Sequence, residues 1–162
     1  CTAPSKTFNL AGLQISNIII ENKEMLKRLS SYLESIALTM SNTFGIIGSE
    51  AAYNTGEEWL EKLIDYIEGN KKLVQEFMVK RLPNIKVVDS EATYLLWVDF
   101  SGLGMKQEEL DKFLVEEAKL WLNAGTIYGD EGLGFERLNL ACPRSTLEKG
   151  LKQLEDAIKT SL

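Results

Sequence analysis

The sequence predicts an α/β protein, and three observations carry that prediction. Apolar residues recur at helical spacing through most of the first half. Two runs rich in β-branched and aromatic residues, 85–88 and 93–100, read as strands in the second half. An amphipathic stretch at 107–120, and another from residue 147, separate those strands from a further strand-like run at 135–140 and follow it.

Residues 1–14 read as a strand end followed by a tight turn, and 15–21 as a short β run around Ile18-Ile19-Ile20. Asn22 caps a helix whose apolar side is Met25, Leu26, Leu29, Leu33 and Ile36, with Glu24 at its dipole-favoured end. Residues 41–48 are small, polar and glycine-bearing, so they predict a break, with helix resuming at 49–53. Thr55-Gly56-Glu57-Glu58 fits a capping box. The long helix after it buries Trp59, Leu60, Leu63, Ile64, Ile67, Val74, Phe77 and Met78. It bends or changes domain at Gly69-Asn70 and stops before Pro83. The helix at 107–120 rests on Leu110, Phe113, Leu114 and Ala118. Trp121-Leu122 is strand-like. Ser145-Thr146-Leu147-Glu148 is a second capping box, opening a helix with Leu147, Leu151, Leu154, Ile158 and Leu162 on its apolar side. The domain boundary falls in or just after the long helix, giving residues 1–75 and 76–162.

Composition narrows the function classes. The 162 residues are 44% hydrophobic and 26% charged, as in ordinary globular proteins. A net charge of −6 argues against a nucleic-acid surface, and no apolar run is long enough to span a bilayer. With no histidine, Ser-His-Asp, Cys-His and His-zinc chemistry are excluded within this chain. Cys1 and Cys142 match no metal spacing and no disulfide framework, which fits a reducing cytoplasm. No acidic pair stands out as a metal or glycosidase site. The acidic residues Glu57, Glu58, Glu61, Asp65, Glu108, Glu109, Asp111, Glu116 and Glu117 read as solvated helix faces.

Two segments carry chemistry. Pro4-Ser5-Lys6 places a lysine on a turn among small residues, ahead of Gly12. A lysine used for chemistry must be held still and partly dried so that its amine can lose a proton, after which it can form a Schiff base with an aldehyde cofactor. The second is the glycine-rich stretch 125–134, which leads into Phe135-Glu136-Arg137-Leu138-Asn139-Leu140-Ala141-Cys142-Pro143-Arg144. There Arg137 offers a planar guanidinium on a strand, suited to a carboxylate through two parallel hydrogen bonds.

The run Ala3-Pro4-Ser5-Lys6-Thr7-Phe8-Asn9-Leu10-Ala11-Gly12-Leu13 resembles the cofactor-lysine segment of fold-type I pyridoxal-phosphate (PLP) enzymes. Residues 128–144 resemble the substrate-carboxylate segment of the cystathionine β-lyase subgroup of class I/II aminotransferases. The resemblance covers essentially the whole chain. It implies the end of the large PLP domain followed by the small C-terminal domain, with a larger N-terminal part preceding Cys1. It further implies a homodimer acting on an amino acid.

By that resemblance Lys6 is the catalytic and cofactor lysine, and Ser5 and Thr2 are hydroxyls of the same turn within reach of the cofactor phosphate. Arg137 binds the substrate carboxylate, Tyr128 and its loop line the substrate pocket, and no metal is involved. Arg144 ties down the loop before the last helix. Asn42 and Thr43 resemble a segment that approaches the partner subunit's cofactor, while Tyr94 and Trp97 read as packing. The chain departs from the broad aminotransferase pattern at Ala3, where a small hydroxyl or glycine is usual, and at Gln14, where an arginine is usual.

The reading that follows is a PLP-dependent carbon–sulfur β-lyase acting on cystathionine or another cysteine S-conjugate. An aminotransferase is the alternative, since both segments belong to the shared family. A non-catalytic fragment or regulatory relative is a third. Groups that a PLP site needs elsewhere in the family are not in this chain, so the chain alone is expected to bind PLP weakly or not at all.

Overall fold

The structure, a computed structural model, describes residues 1–161. Leu162, the last residue of the expected apolar side of the final helix, lies outside them. The chain forms two compact units, Cys1–Ile64 and Asp65–Leu162. Among the described residues no helix is long and apolar enough to cross a membrane.

In the first unit the chain turns at Pro4, which is buried. Phe8 N–H donates to the Pro4 carbonyl at 2.9 Å and Leu10 N–H to the Ser5 carbonyl at 3.0 Å. The expected strand at 15–21 is not formed. Asn17 alone pairs, antiparallel, with Thr2, and Ile18 and Ile19 are exposed. A strand needs a neighbouring backbone along its length, and Thr2 supplies one residue of it. Helix α1, Lys23–Ser35, starts where Asn22 Oδ1 accepts from Glu24 N–H and Met25 N–H, both at 3.0 Å. Leu29 and Leu33 are half-buried, whereas Met25, Leu26 and Ile36 are exposed.

Helix α2, Thr43–Thr55, runs through the expected break. Asn42 Oδ1 caps it from Phe44 N–H at 3.0 Å, while Asn42 Nδ2 reaches the Leu13 carbonyl at 3.2 Å. The glycines that suggested a break serve close packing instead. A Cβ on Gly45 would lie 3.0 Å from the Leu13 carbonyl oxygen. Thr55 does not form a capping box. Its hydroxyl donates to the Ala51 carbonyl at 2.7 Å, so α2 continues to Thr55 and helix α3, Glu57–Arg81, begins two residues later.

The second unit holds an antiparallel sheet: β1, Lys86–Val87; β2, Leu95–Asp99; β3, Asn123–Ala124; and β4, Phe135–Asn139, in the order β1-β2-β4-β3. The strand at Trp121-Leu122 is thus displaced to Asn123. Period-two alternation sends Leu96, Val98, Glu136 and Leu138 to one face. There Leu96 and Val98 join Phe100 and Leu140 in a core completed by Val74 and Met78 of α3, by Leu110, Phe113 and Leu114 of α4 (Gln107–Glu116), and by Leu147, Leu151 and Leu154 of α5 (Arg144–Ser161). Leu95, Trp97, Asp99, Phe135, Arg137 and Asn139 take the other face.

Helix α4 stops earlier than its apolar period suggests. The N–H groups of Glu117 and Ala118 both close on the Phe113 carbonyl, and Lys119 is left-handed at φ 56°, which ends the helix while still burying Ala118. Helix α5 starts at Arg144, ahead of the expected Ser145 cap, with the Pro143 carbonyl accepting from Thr146 and Leu147 N–H.

Candidate active site

Lys6 sits at the centre of the turn closed by the Pro4 and Ser5 carbonyls, and its side chain is exposed. Ser5 beside it is half-buried. Thr2 is not part of this turn. It is the exposed residue whose backbone pairs with Asn17, four residues before Lys6. Among the described residues the Lys6 amine has no carboxylate within ion-pair distance. The packing that holds this region is aromatic. Phe8 meets Tyr53 edge-on at 5.8 Å and stacks on Trp59 at 6.1 Å, and a Cβ on Gly56 would strike the Phe8 ring at 2.6 Å.

Arg137 is mounted at the middle of β4, in register with Trp97 on β2 and with Asn123 on β3. Its guanidinium is held on two sides. Nη2 donates to Asn123 Oδ1 at 2.8 Å, and the guanidinium carbon lies 5.3 Å from the centroid of the Tyr128 ring. Trp97 backs this arrangement, edge-on to Tyr128 at 5.6 Å and stacked on Phe135 at 5.6 Å with an interplanar angle of 11°. Arg137 Nε is buried and has no hydrogen-bond partner. Leaving such a donor unmet costs roughly 1–3 kcal/mol, so the site is built with spare donor capacity.

The glycine-rich stretch 125–134 is mostly exposed and is pinned at Gly125 and Gly132, which are buried. It forms two short 3₁₀ turns, Gly125–Tyr128 and Asp130–Gly132, joined by Gly129 at φ 130°. Gly125 and Gly132 face each other so closely that a Cβ on either would overlap the other's backbone carbonyl. That contact fixes the turn carrying Tyr128.

Two buried carboxylates were not singled out by sequence, Glu136 on the core side of β4 and Glu155 on α5. Glu136 is 2% exposed. Burial first, and the Asp111 carboxylate second, push it from 4.5 up to about 7, against the opposing effect of a hydrogen bond from Gln107 Nε2 at 3.2 Å. Asp111, expected to be a plain solvated residue, also accepts from Gln107 Nε2 at 2.7 Å, and Gln107 Oε1 receives Gly134 N–H at 2.8 Å. Glu155 is 1% exposed yet held down to about 2 by Lys159 at 2.6 Å, by Arg81 at 2.6 Å and by Lys152 at 3.1 Å.

Arg144 lies in a socket of its own. Its guanidinium stacks on Tyr66 at 4.9 Å, and its Nε donates to Asn70 Oδ1 at 3.0 Å. Asn70 is fully buried. Its Nδ2 donates to the carbonyls of Leu140 and Cys142 at 2.9 and 3.1 Å. The Gly69-Asn70 pair therefore does not interrupt α3. Gly69 makes room for Arg144, and Asn70 fastens the chain just after β4.

A primary amine presented on a rigid turn, with a hydroxyl beside it, suits an aldehyde that carries a phosphate. A strand-mounted guanidinium with an unmet buried donor and no carboxylate partner suits an amino-acid carboxylate. The residues present therefore fit a PLP enzyme.

The chain belongs to the family described as Aminotransferase class I and II, whose pattern matches residues 1–154. It is 42% identical over 158 residues to cystathionine beta-lyase PatB of Bacillus subtilis, covering 98% of this chain and 41% of that protein. It superimposes on cystalysin of Treponema denticola, whose structure contains a pyridoxal 5'-phosphate cofactor, with a TM-score of 0.93 and 38% identity, over 98% of this chain and 40% of the other. It is 28% identical over 160 residues to aspartate aminotransferase of Pyrococcus horikoshii, over 96% of this chain and 39% of that one. The chain thus spans about 40% of the length of these relatives.

Proposed function

We propose that the full-length protein is a PLP-dependent carbon–sulfur β-lyase acting on cystathionine or a related cysteine S-conjugate. This chain contributes its cofactor lysine, Lys6, and its substrate-carboxylate arginine, Arg137. The observation that carries the reading is the Arg137 guanidinium, half-buried on a strand with Nε unmet and no anionic partner among the described residues. The likeness to named cystathionine and carbon–sulfur lyases supports elimination over amino transfer.

Lys6 holds the cofactor, with Ser5 and Thr2 as the hydroxyls on its phosphate side. PLP, when bound, supplies the sink for the electron pair left at Cα. Arg137 binds the substrate α-carboxylate and so fixes Cα relative to Lys6, while Tyr128 lines the pocket on the arginine's π side. Lys6 takes the Cα proton. The Cβ–S bond breaks and its electron pair leaves with the sulfur, so one water yields a thiol, pyruvate and ammonium. Residues 1–75 form the end of the large domain and 76–162 the small domain. The remainder of the enzyme supplies the rest of the cofactor pocket, in a cytoplasmic homodimer.

Lys6→Ala in the full-length protein is expected to lower thiol release from S-ethyl-L-cysteine by at least ~10³-fold, in line with loss of a covalent and proton-transfer group. Borohydride treatment of the wild type should leave a pyridoxyl group on the Lys6 peptide. Thiol release that persists in the variant overturns the proposal. The aminotransferase reading is favoured by the Pyrococcus relative, and it predicts turnover that needs a keto acid and releases no thiol.

A further inference from the structure

We propose that Asn123 is a positioning residue for Arg137, a neutral clamp that orients the guanidinium while leaving its charge free for the substrate carboxylate. The inference rests on the reading of Arg137 given above. Among the described residues Asn123 Oδ1, at 2.8 Å, is the side-chain acceptor that Arg137 Nη2 meets, and the two residues are cross-strand partners on β3 and β4. The second restraint, the Tyr128 ring at 5.3 Å, is also uncharged. A half-buried guanidinium commonly pairs with a carboxylate, because desolvating a cation is costly unless it is compensated. Here both partners are neutral, and Nε is left without one. The orientation is therefore fixed without neutralising the charge, and the unmet donor awaits an anion that the described residues do not supply.

Clamping alone does not require asparagine. An aspartate would fit the same position and hold the arginine more tightly, but it would occupy the site with the protein's own anion. The neutral amide is what separates orientation from neutralisation. Asn123 is itself exposed, on a two-residue strand. Its replacement therefore tests the site rather than the core.

The test uses the full-length PLP-loaded enzyme with S-ethyl-L-cysteine, and with 2-(ethylthio)ethanamine, which lacks the carboxylate. Asn123→Asp should raise KM for the amino acid by about tenfold or more, and Asn123→Ala by about three- to tenfold, with kcat changed less. Binding of the amine, followed by the cofactor's absorption, should not weaken in either variant. A readout independent of turnover is phenylglyoxal modification of Arg137, mapped by mass spectrometry. S-ethyl-L-cysteine should protect Arg137 in the wild type and markedly less in Asn123→Asp. Equal KM values and equal protection in both variants overturn the inference, as does an equal loss for the amine and the amino acid. Arg137→Lys separates the two readings. If it raises KM while the Asn123 variants do not, only the clamp is wrong. If it leaves KM unchanged, the carboxylate reading of Arg137 itself fails.

Discussion

Residues 65–161 contain every buried apolar side chain of the core, from Val74 on α3 to Ala157 on α5, and the sheet and three helices close around it. In residues 1–64 only Pro4, Gly45 and Ser49 are buried, while Ile19, Met40 and Phe44 are exposed at 75%, 92% and 75%. The first unit has the better side-chain caps, at Asn22 and Asn42, so local structure does not explain the difference in burial. What distinguishes them is whether the apolar faces meet partners within the described residues. Helices of 13 residues, such as α1 and α2, are marginal alone in water and draw most of their stability from such partners. The difference teaches that the Arg137 mount carries its own core, whereas the Lys6 turn depends on surfaces its unit leaves exposed.

The largest effect that would break this comparison comes from paired truncations of one residue type. Phe100→Ala, at 2% exposure in the core, should cost about 3–5 kcal/mol in urea unfolding of the 162-residue chain. Phe44→Ala should stay within about 0.5 kcal/mol in the same chain. Similar costs at both positions would refute the contrast. In the full-length protein a Phe44→Ala cost above about 1.5 kcal/mol would identify that exposed face as one covered in the complete fold.

A smaller effect probes the polar fastening of the second unit. Asn70→Ala removes the donor to the Leu140 and Cys142 carbonyls and the acceptor of Arg144 Nε. The buried groups left unmet should cost about 2–4 kcal/mol, checked by the unfolding midpoint at constant m-value. A cost below about 0.5 kcal/mol would mean that water replaces the amide freely.

What was legible in the sequence follows the same division of causes. Elements set by periodicity and by a local cap were readable: the Asn22 cap of α1, the strand around Trp97, the strand carrying Arg137 and the later part of the α3 stripe, where Val74 and Met78 are buried, although its Trp59 and Ile64 are exposed. The PLP family likeness was readable from two motif segments, and the α/β class from the apolar periodicity and the strand-like runs. Features set by a partner distant in sequence were not. Gly45 and Gly48 looked like a break because glycine punctuates helices, yet Gly45 is there to let α2 approach Leu13. The isoleucine run at 18–20 has strand composition, but the bridge to Thr2 is made by Asn17 just before it and the run itself pairs with nothing among the described residues. Asn70 looked like a helix weakness and proved to be a satisfied buried amide. Asn123 and Glu136 carried no local signal, because their roles arise from cross-strand register with Arg137 and from α4 packing behind it.

The smallest effect, and the one with the most specific signature, is the pH response of Glu136. Its carboxyl titrates at about 7 in the folded protein against 4.5 ordinarily, so between those values the folded state holds a proton that the unfolded state has lost. The stability this group contributes is therefore fully present below pH 4.5 and lost as pH rises toward 7. Glu155 works in the opposite sense. Held at about 2, its contribution is present above pH 4.5 and lost as pH falls toward 2. Glu136→Gln replaces the protonated carboxyl with an amide that can still donate toward Asp111. The variant should match the wild type near pH 4.5 and exceed it by on the order of 2–3 kcal/mol at pH 8, with the acid limb set by Glu155 unchanged. Unfolding free energies at half-unit pH steps would decide it. A constant offset between variant and wild type across the range would mean that Glu136 titrates in the folded protein as it does in the unfolded one, ionised at neutral pH. The network of Asp111, Gln107 and the Gly134 amide behind the Arg137 strand would then be held together by charge rather than by a shared proton.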